Sequence, residues 1–211
     1  MRARVKICGI KRVEDLEAAV AEGADAVGMV VGFPSSPRNL RIDEAAEIRR
    51  RVPLFIDAVL VTQAKNIEEL RWAVEKVQPD ALQLYGPLAV GVAKEAAPSC
   101  RVIKPLKAGD EPTDLEVMGA DAVLLDSHSA GLPGGSGRTH DWFEARRVKE
   151  RVGLPLILAG GLNPTNVREA IRVVKPYAVD VSSGVESSPG VKSRELIRAF
   201  ISAVVGEEID G

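Results

Sequence analysis

Short apolar runs rich in Val, Ile and Leu punctuate the chain, one per roughly 26 residues, each followed by a longer stretch of helical character. The runs are Val5–Cys8, Ala26–Val31, Phe55–Val61, Ala81–Tyr85, Val102–Leu106, Ala122–Asp126, Leu156–Ala159 and Ala178–Ser182. They do not alternate polar with apolar residues, which is how parallel strands read when both faces are buried. Between them, Ile67, Leu70, Val74 and Val77 share one face at helical spacing, as do Leu196, Ile197, Phe200, Ile201 and Val204. Asp43 before Glu44-Ala45-Ala46 marks one helix start. Asn163 before Pro164 marks another, with Asn as N-cap and Pro at the first helical position. Eight strand–helix units in 211 residues, with no linker between them, predict a single (β/α)₈ barrel over residues 1–211. A doubly wound sheet, usually of five or six strands, is the second choice.

Composition narrows the function. There are 28 Lys and Arg against 30 Asp and Glu, a formal net charge of −2, which lacks the basic footprint of a nucleic-acid binder. Arg49-Arg50-Arg51 reads as a solvated helix end. No apolar run approaches the length of a membrane span, and the N-terminus does not read as a signal peptide. The expected location is the cytoplasm. Asn and Gln total only seven beside 27% charged residues, a bias that points to a thermophilic source.

In a barrel, reactive residues stand at the C-terminal ends of the strands. That rule selects Cys8, Arg38, Tyr85, Asp126, Gly160, Gly161, Asp180, Ser182, Ser183 and Gly184. Cys100 enters the fifth strand from the opposite end, about 17–20 Å from Cys8, too far for a disulfide, so Cys8 is a free thiol. At the mouth it is either a structural thiol or a base or nucleophile, and the latter needs a cationic or dipolar neighbour. Asp126 closes an apolar strand, where desolvation favours a protonated carboxyl fit for acid catalysis. Its alternative is an N-cap or a salt bridge in the next loop. Gly160-Gly161 and Ser183-Gly184 follow the last two strands, where backbone N–H groups hold phosphate in many barrels; each is otherwise a tight turn. His128 and His140 lack metal-ligand spacing, and no nucleotide-binding motif appears, so neither metal nor cofactor is expected. The glycine-rich stretch 131–137 reads as a loop able to close over a substrate.

Together these segments resemble a known family. Lys6-Ile7-Cys8-Gly9-Ile10, Ser36-Pro37-Arg38, Leu82-Gln83-Leu84-Tyr85-Gly86, Leu124-Leu125-Asp126-Ser127, Gly134-Gly135-Ser136-Gly137 with Asp141-Trp142, Leu158-Ala159-Gly160-Gly161-Leu162 and Asp180-Val181-Ser182-Ser183-Gly184-Val185-Glu186 resemble, in order and along the whole chain, the phosphoribosylanthranilate isomerases of tryptophan biosynthesis. The resemblance implies a cofactor-free Amadori rearrangement of a small phosphorylated substrate. It implies Cys8 as general base, Asp126 as general acid, Arg38 on the anthranilate carboxylate, and Gly160, Gly161, Ser183 and Gly184 around the phosphate. Tyr85 and Asp180 complete the pocket, in a monomer or a homodimer that binds neither nucleic acid nor membrane. Tyr85 stands where the family usually has His, and Ser136 and His140 depart from it in the loop. Other phosphate-binding barrels of tryptophan or histidine synthesis, or a non-catalytic phospholigand binder, would share the last two loops. They would not share the pairing of Cys8 with Asp126.

Overall fold

The computed structural model describes residues 2–107, 117–126 and 142–207. The apolar runs form eight parallel strands: β1 (Arg4–Cys8), β2 (Ala26–Val31), β3 (Asp57–Thr62), β4 (Ala81–Leu84), β5 (Arg101–Lys107), β6 (Ala122–Asp126), β7 (Leu156–Ala159) and β8 (Ala178–Val181). Each pairs with its neighbours in sequence, and β1 pairs with both β2 and β8, so the sheet closes on itself. A closed sheet has no edge to protect. The helices among the described residues are α1 (Val13–Glu22), α2 (Ile42–Arg51), α3 (Ile67–Val77), α4 (Val90–Ala96), α5 (Trp142–Val152), α6 (Val167–Val174) and α7 (Arg194–Val205). None is long and apolar enough to cross a membrane.

Strand parity divides the apolar residues into two cores. Val5, Ile7, Val27, Met29, Leu60 and Leu82 point outward and pack beneath the helices. Cys8, Val30, Val59, Val61, Ile103, Leu124 and Ile157 point inward and fill the barrel. Among the described residues, the buried polar side chains of Lys6, Gln83 and Asp180 share that interior. At the N-terminal end the inward layer is small (Ala26, Ala81, Ala122, Ala178), and a cavity of about 180 Å³ remains there.

Four expectations need correction. The third strand begins at Asp57, not Phe55. Phe55 adopts φ 71° in a turn closed by Ile56 N–H donating to the Pro53 carbonyl, and its ring is fully exposed. Helix α2 begins at Ile42, because Glu44 reaches back to accept the Arg41 N–H at 2.8 Å; Asp43 lies inside the first turn. Asn163-Pro164 does not open α6. The Asn163 side chain accepts the Thr165 N–H at 2.8 Å and holds a separate turn, so the helix starts at Val167. Leu196 is left partly exposed on α7, while Ile197, Phe200, Ile201 and Val204 are buried. Arg49-Arg50-Arg51 does end a helix, and Arg50 and Arg51 are exposed.

Candidate active site

Cys8 is the last residue of β1 and Asp126 the last of β6, both with inward parity, so they face one another across the C-terminal mouth. Behind Cys8 the chain turns sharply: the Gly9 and Ile10 N–H groups both donate to the Gly28 carbonyl at 2.9 Å. Gly28 makes room for the thiol, since a Cβ there would stand 2.9 Å from Cys8 Sγ. Burial pushes the Cys8 thiol above its ordinary range, and the ammonium of Lys6 offsets only part of that rise. Cys100 is also a free, buried thiol; its S–H donates to the Pro79 carbonyl near the N-terminal end of β5.

Directly beneath Cys8 lies a polar cluster that joins the anticipated Asp180 and Tyr85 to two residues the sequence did not single out, Lys6 and Gln83. Lys6 Nζ donates to Asp180 Oδ1 at 2.8 Å and to Gln83 Oε1 at 3.0 Å, and Gln83 Nε2 donates to the Tyr85 hydroxyl at 3.1 Å. Tyr85 packs edge-on against Phe33, with ring centroids 5.6 Å apart. Burial, followed by the nearby charge of Cys8, raises the phenol to about 12, so Tyr85 stays neutral.

Arg38 packs over Gly9, where any Cβ would collide with its Cδ. Its guanidinium is already paired: Nε and Nη2 donate to Glu186 at 2.7 and 2.6 Å. Glu186 also accepts from Lys192 Nζ at 2.8 Å and from the Gly190 N–H at 3.2 Å. Burial would raise the Glu186 carboxyl, but Arg38 and Lys192 hold it below the ordinary carboxylate range. Two cations on one carboxylate leave the cluster with a formal charge of +1. Lys192, fully buried, also donates to the Ser182 carbonyl at 3.1 Å, while Ser182 Oγ donates to the Cys8 carbonyl at 3.1 Å.

The loops after β7 and β8 meet. Gly160 and Gly161 take φ 90° and 61°, conformations that favour glycine, and Asn166 Nδ2 donates to the Gly161 carbonyl at 3.0 Å. Gly184 is glycine for a packing reason: a Cβ there would sit 1.9 Å from the Leu162 carbonyl oxygen. Stretch 131–137, with His128 and His140, lies outside the described residues.

The family model of N-(5'-phosphoribosyl)anthranilate isomerase matches residues 5–203. The chain belongs to that family. It is 44% identical over 205 residues to the N-(5'-phosphoribosyl)anthranilate isomerase of Halobacterium salinarum, covering 94% of each chain. The phosphoribosylanthranilate isomerase of Thermotoga maritima is similar in structure, with a TM-score of 0.85 and 39% identity over 97% of this chain and 100% of that one. Monomers generated from the dimeric Thermotoga maritima isomerase also match, at 0.81 and 35%, over 97% of this chain and 100% of that one. So does a family member bound to reduced 1-(o-carboxyphenylamino)-1-deoxyribulose 5-phosphate, with a TM-score of 0.79 and 36% identity over 97% of this chain and 100% of that one. The isomerase barrel that the motifs anticipated is therefore the fold and the family of this chain.

Proposed function

We propose that the barrel mouth converts N-(5'-phosphoribosyl)anthranilate to 1-(2-carboxyphenylamino)-1-deoxyribulose 5-phosphate, with Asp126 as general acid and Cys8 as general base. What carries this reading is a carboxyl and a thiol ending β6 and β1 on opposite sides of one opening. Asp126 gives its proton to the ring oxygen as the C1–O bond breaks, leaving an iminium between C1 and the anthranilate nitrogen. That cation acidifies the C2–H bond. The Cys8 thiolate takes the C2 proton, and the resulting enolamine becomes the C2 ketone by gaining a proton at C1. Atoms and electrons balance within the substrate, so the scheme uses no cofactor.

Arg38, with the net positive charge of its cluster, holds the anthranilate carboxylate. The phosphate lies on the loops bearing Gly160, Gly161, Ser183 and Gly184, a reading supported by the left-handed glycines and the contact between the two loops. Turnover of phosphoribosylanthranilate generated in situ, followed by its fluorescence, tests the scheme. Cys8→Ser and Asp126→Asn should each lose about 10²–10⁴-fold in kcat while the fold persists. Near-normal turnover in Cys8→Ser would remove Cys8 as base.

The homodimer is the better reading of the assembly. Leu54 and Phe55 stand exposed beside the N-terminal opening of the barrel, and the Thermotoga relative is described as dimeric. Two buried free thiols suit the reducing cytoplasm. A thermophilic source is supported by paired Arg residues on single carboxylates, such as Arg194 and Arg198 on Glu22.

A further inference from the structure

We propose that Lys6 is a positioning residue whose buried ammonium favours the thiolate of Cys8 against the burial that opposes it. Its catalytic meaning rests on Cys8 being the base. Lys6 and Cys8 share the inward face of β1, one layer apart, and both reach into the space that Gly28 leaves open. A Cβ at Gly28 would stand 2.9 Å from Cys8 Sγ and 3.2 Å from Lys6 Cε.

The Lys6 side chain is only 4% exposed, and two of its three N–H donors are fixed by Asp180 and Gln83. The ammonium's charge acts on the neighbouring sulfur, since Lys6 Cε and Cys8 Sγ flank the same space above Gly28. Burial alone would lower the Lys6 ammonium, yet Asp180 and Cys8 together hold it above its ordinary value, so it remains charged wherever the enzyme works. An ammonium is costly to keep in a barrel interior unless it is paired or used, and this one lies under the thiol.

Other charged or titratable groups also face Cys8. Asp180 on β8 opposes the thiolate, whereas Lys192 from the segment after β8 favours it. Arg38 from the loop after β2 and Tyr85 from the loop after β4 feel its charge. Glu186 lies behind Arg38 and Lys192 and partly offsets them. Among these, Lys6 exerts the strongest pull toward the thiolate, stronger than the opposing push of Asp180.

The two members of the Lys6–Asp180 pair therefore act on Cys8 with opposite signs. A pair that merely plugs the barrel would not. The test is the pH dependence of iodoacetamide alkylation on the full chain, with peptide mapping to separate Cys8 from Cys100 as internal reference. Lys6→Met should move the Cys8 midpoint to higher pH, slowing alkylation about tenfold at a fixed pH below the midpoint, one pH unit being a factor of ten. Asp180→Asn should move it to lower pH, and Cys100 should not respond to either change. If Lys6→Met does not fold, Lys6→Gln/Asp180→Asn removes both charges together and should still lie above the wild type. In active variants the acidic limb of kcat/KM should follow the alkylation midpoint. Midpoints that stay put, or that move in the same direction in both single variants, would overturn the proposal. Retained turnover in Cys8→Ser would instead remove the base assignment and leave the effect of Lys6 on the thiol standing.

Discussion

Two donors of Arg38 are engaged before any ligand arrives. Glu186 takes Nε and Nη2, so a carboxylate must approach the remaining edge of the guanidinium, drawn by the surplus charge of Lys192 nearby. Arg38→Ala should weaken binding of a carboxylated product analogue by about 1.5–3 kcal/mol, the scale of a hydrogen bond to a charged group. An analogue without the carboxylate should bind wild type and variant alike. If the variant keeps its preference for the carboxylated compound, another residue makes the contact. The residues that stand at the mouth, Cys8, Asp126, Arg38 and Tyr85, were legible because barrel geometry exposes strand ends and the loops that follow them. Their supports were not. Lys6 and Gln83 sit at inward positions of otherwise apolar strands, a visible signal, but their partners lie 77 and 174 residues apart in sequence. Such pairings follow from the closing register of β1 with β8, which no local pattern contains.

Among the elements, eight strand positions were legible because runs buried on both faces leave a continuous apolar trace. Element ends were not, wherever a side chain captures the backbone first, as Glu44 does at Arg41 and Asn163 does at Thr165. Helices α1 and α7 are joined by Glu22, which accepts from Arg194 at 2.6 Å and from Arg198 at 2.9 and 3.0 Å. Hydrogen bonds from Arg198 and Arg194 lower the Glu22 carboxyl to about 2. A folded-state value below the unfolded one gives stability that is present above about pH 4.5 and lost as the pH falls toward 2. Acid unfolding of Glu22→Gln should therefore lack this part of the pH dependence, with most of the difference from wild type found above that window. Parallel acid-unfolding curves for the two proteins would contradict it.

The closed barrel was legible at the scale of the whole molecule, since eight units in so short a chain leave few other arrangements. The cavity at its N-terminal end was not. It arises because Ala26, Ala81, Ala122 and Ala178 fall in one inward layer, which depends on register between strands. Phe55, fully exposed with φ 71°, stands at that same end. In the proposed dimer this exposed phenyl ring is covered by the second copy. Phe55→Glu should then convert the protein to a monomer in sedimentation and lower its melting temperature. The wild type should melt above the range of about 45–65 °C typical of mesophilic domains. A wild type that sediments as a monomer would exclude the dimer, and an ordinary melting temperature would exclude the thermophilic source.

The division of labour between Asp126 and Cys8 is open to one direct measurement, the kinetic isotope effect with deuterium at C2 of the sugar. Asp126→Asn keeps the size of the side chain but has no proton to give, so ring opening becomes limiting and the isotope effect should shrink toward unity. In a weakened Cys8 variant, removal of the C2 proton becomes limiting and the effect should grow. A large isotope effect in Asp126→Asn would contradict the account, because ring opening would then proceed on a proton from another group at the barrel mouth.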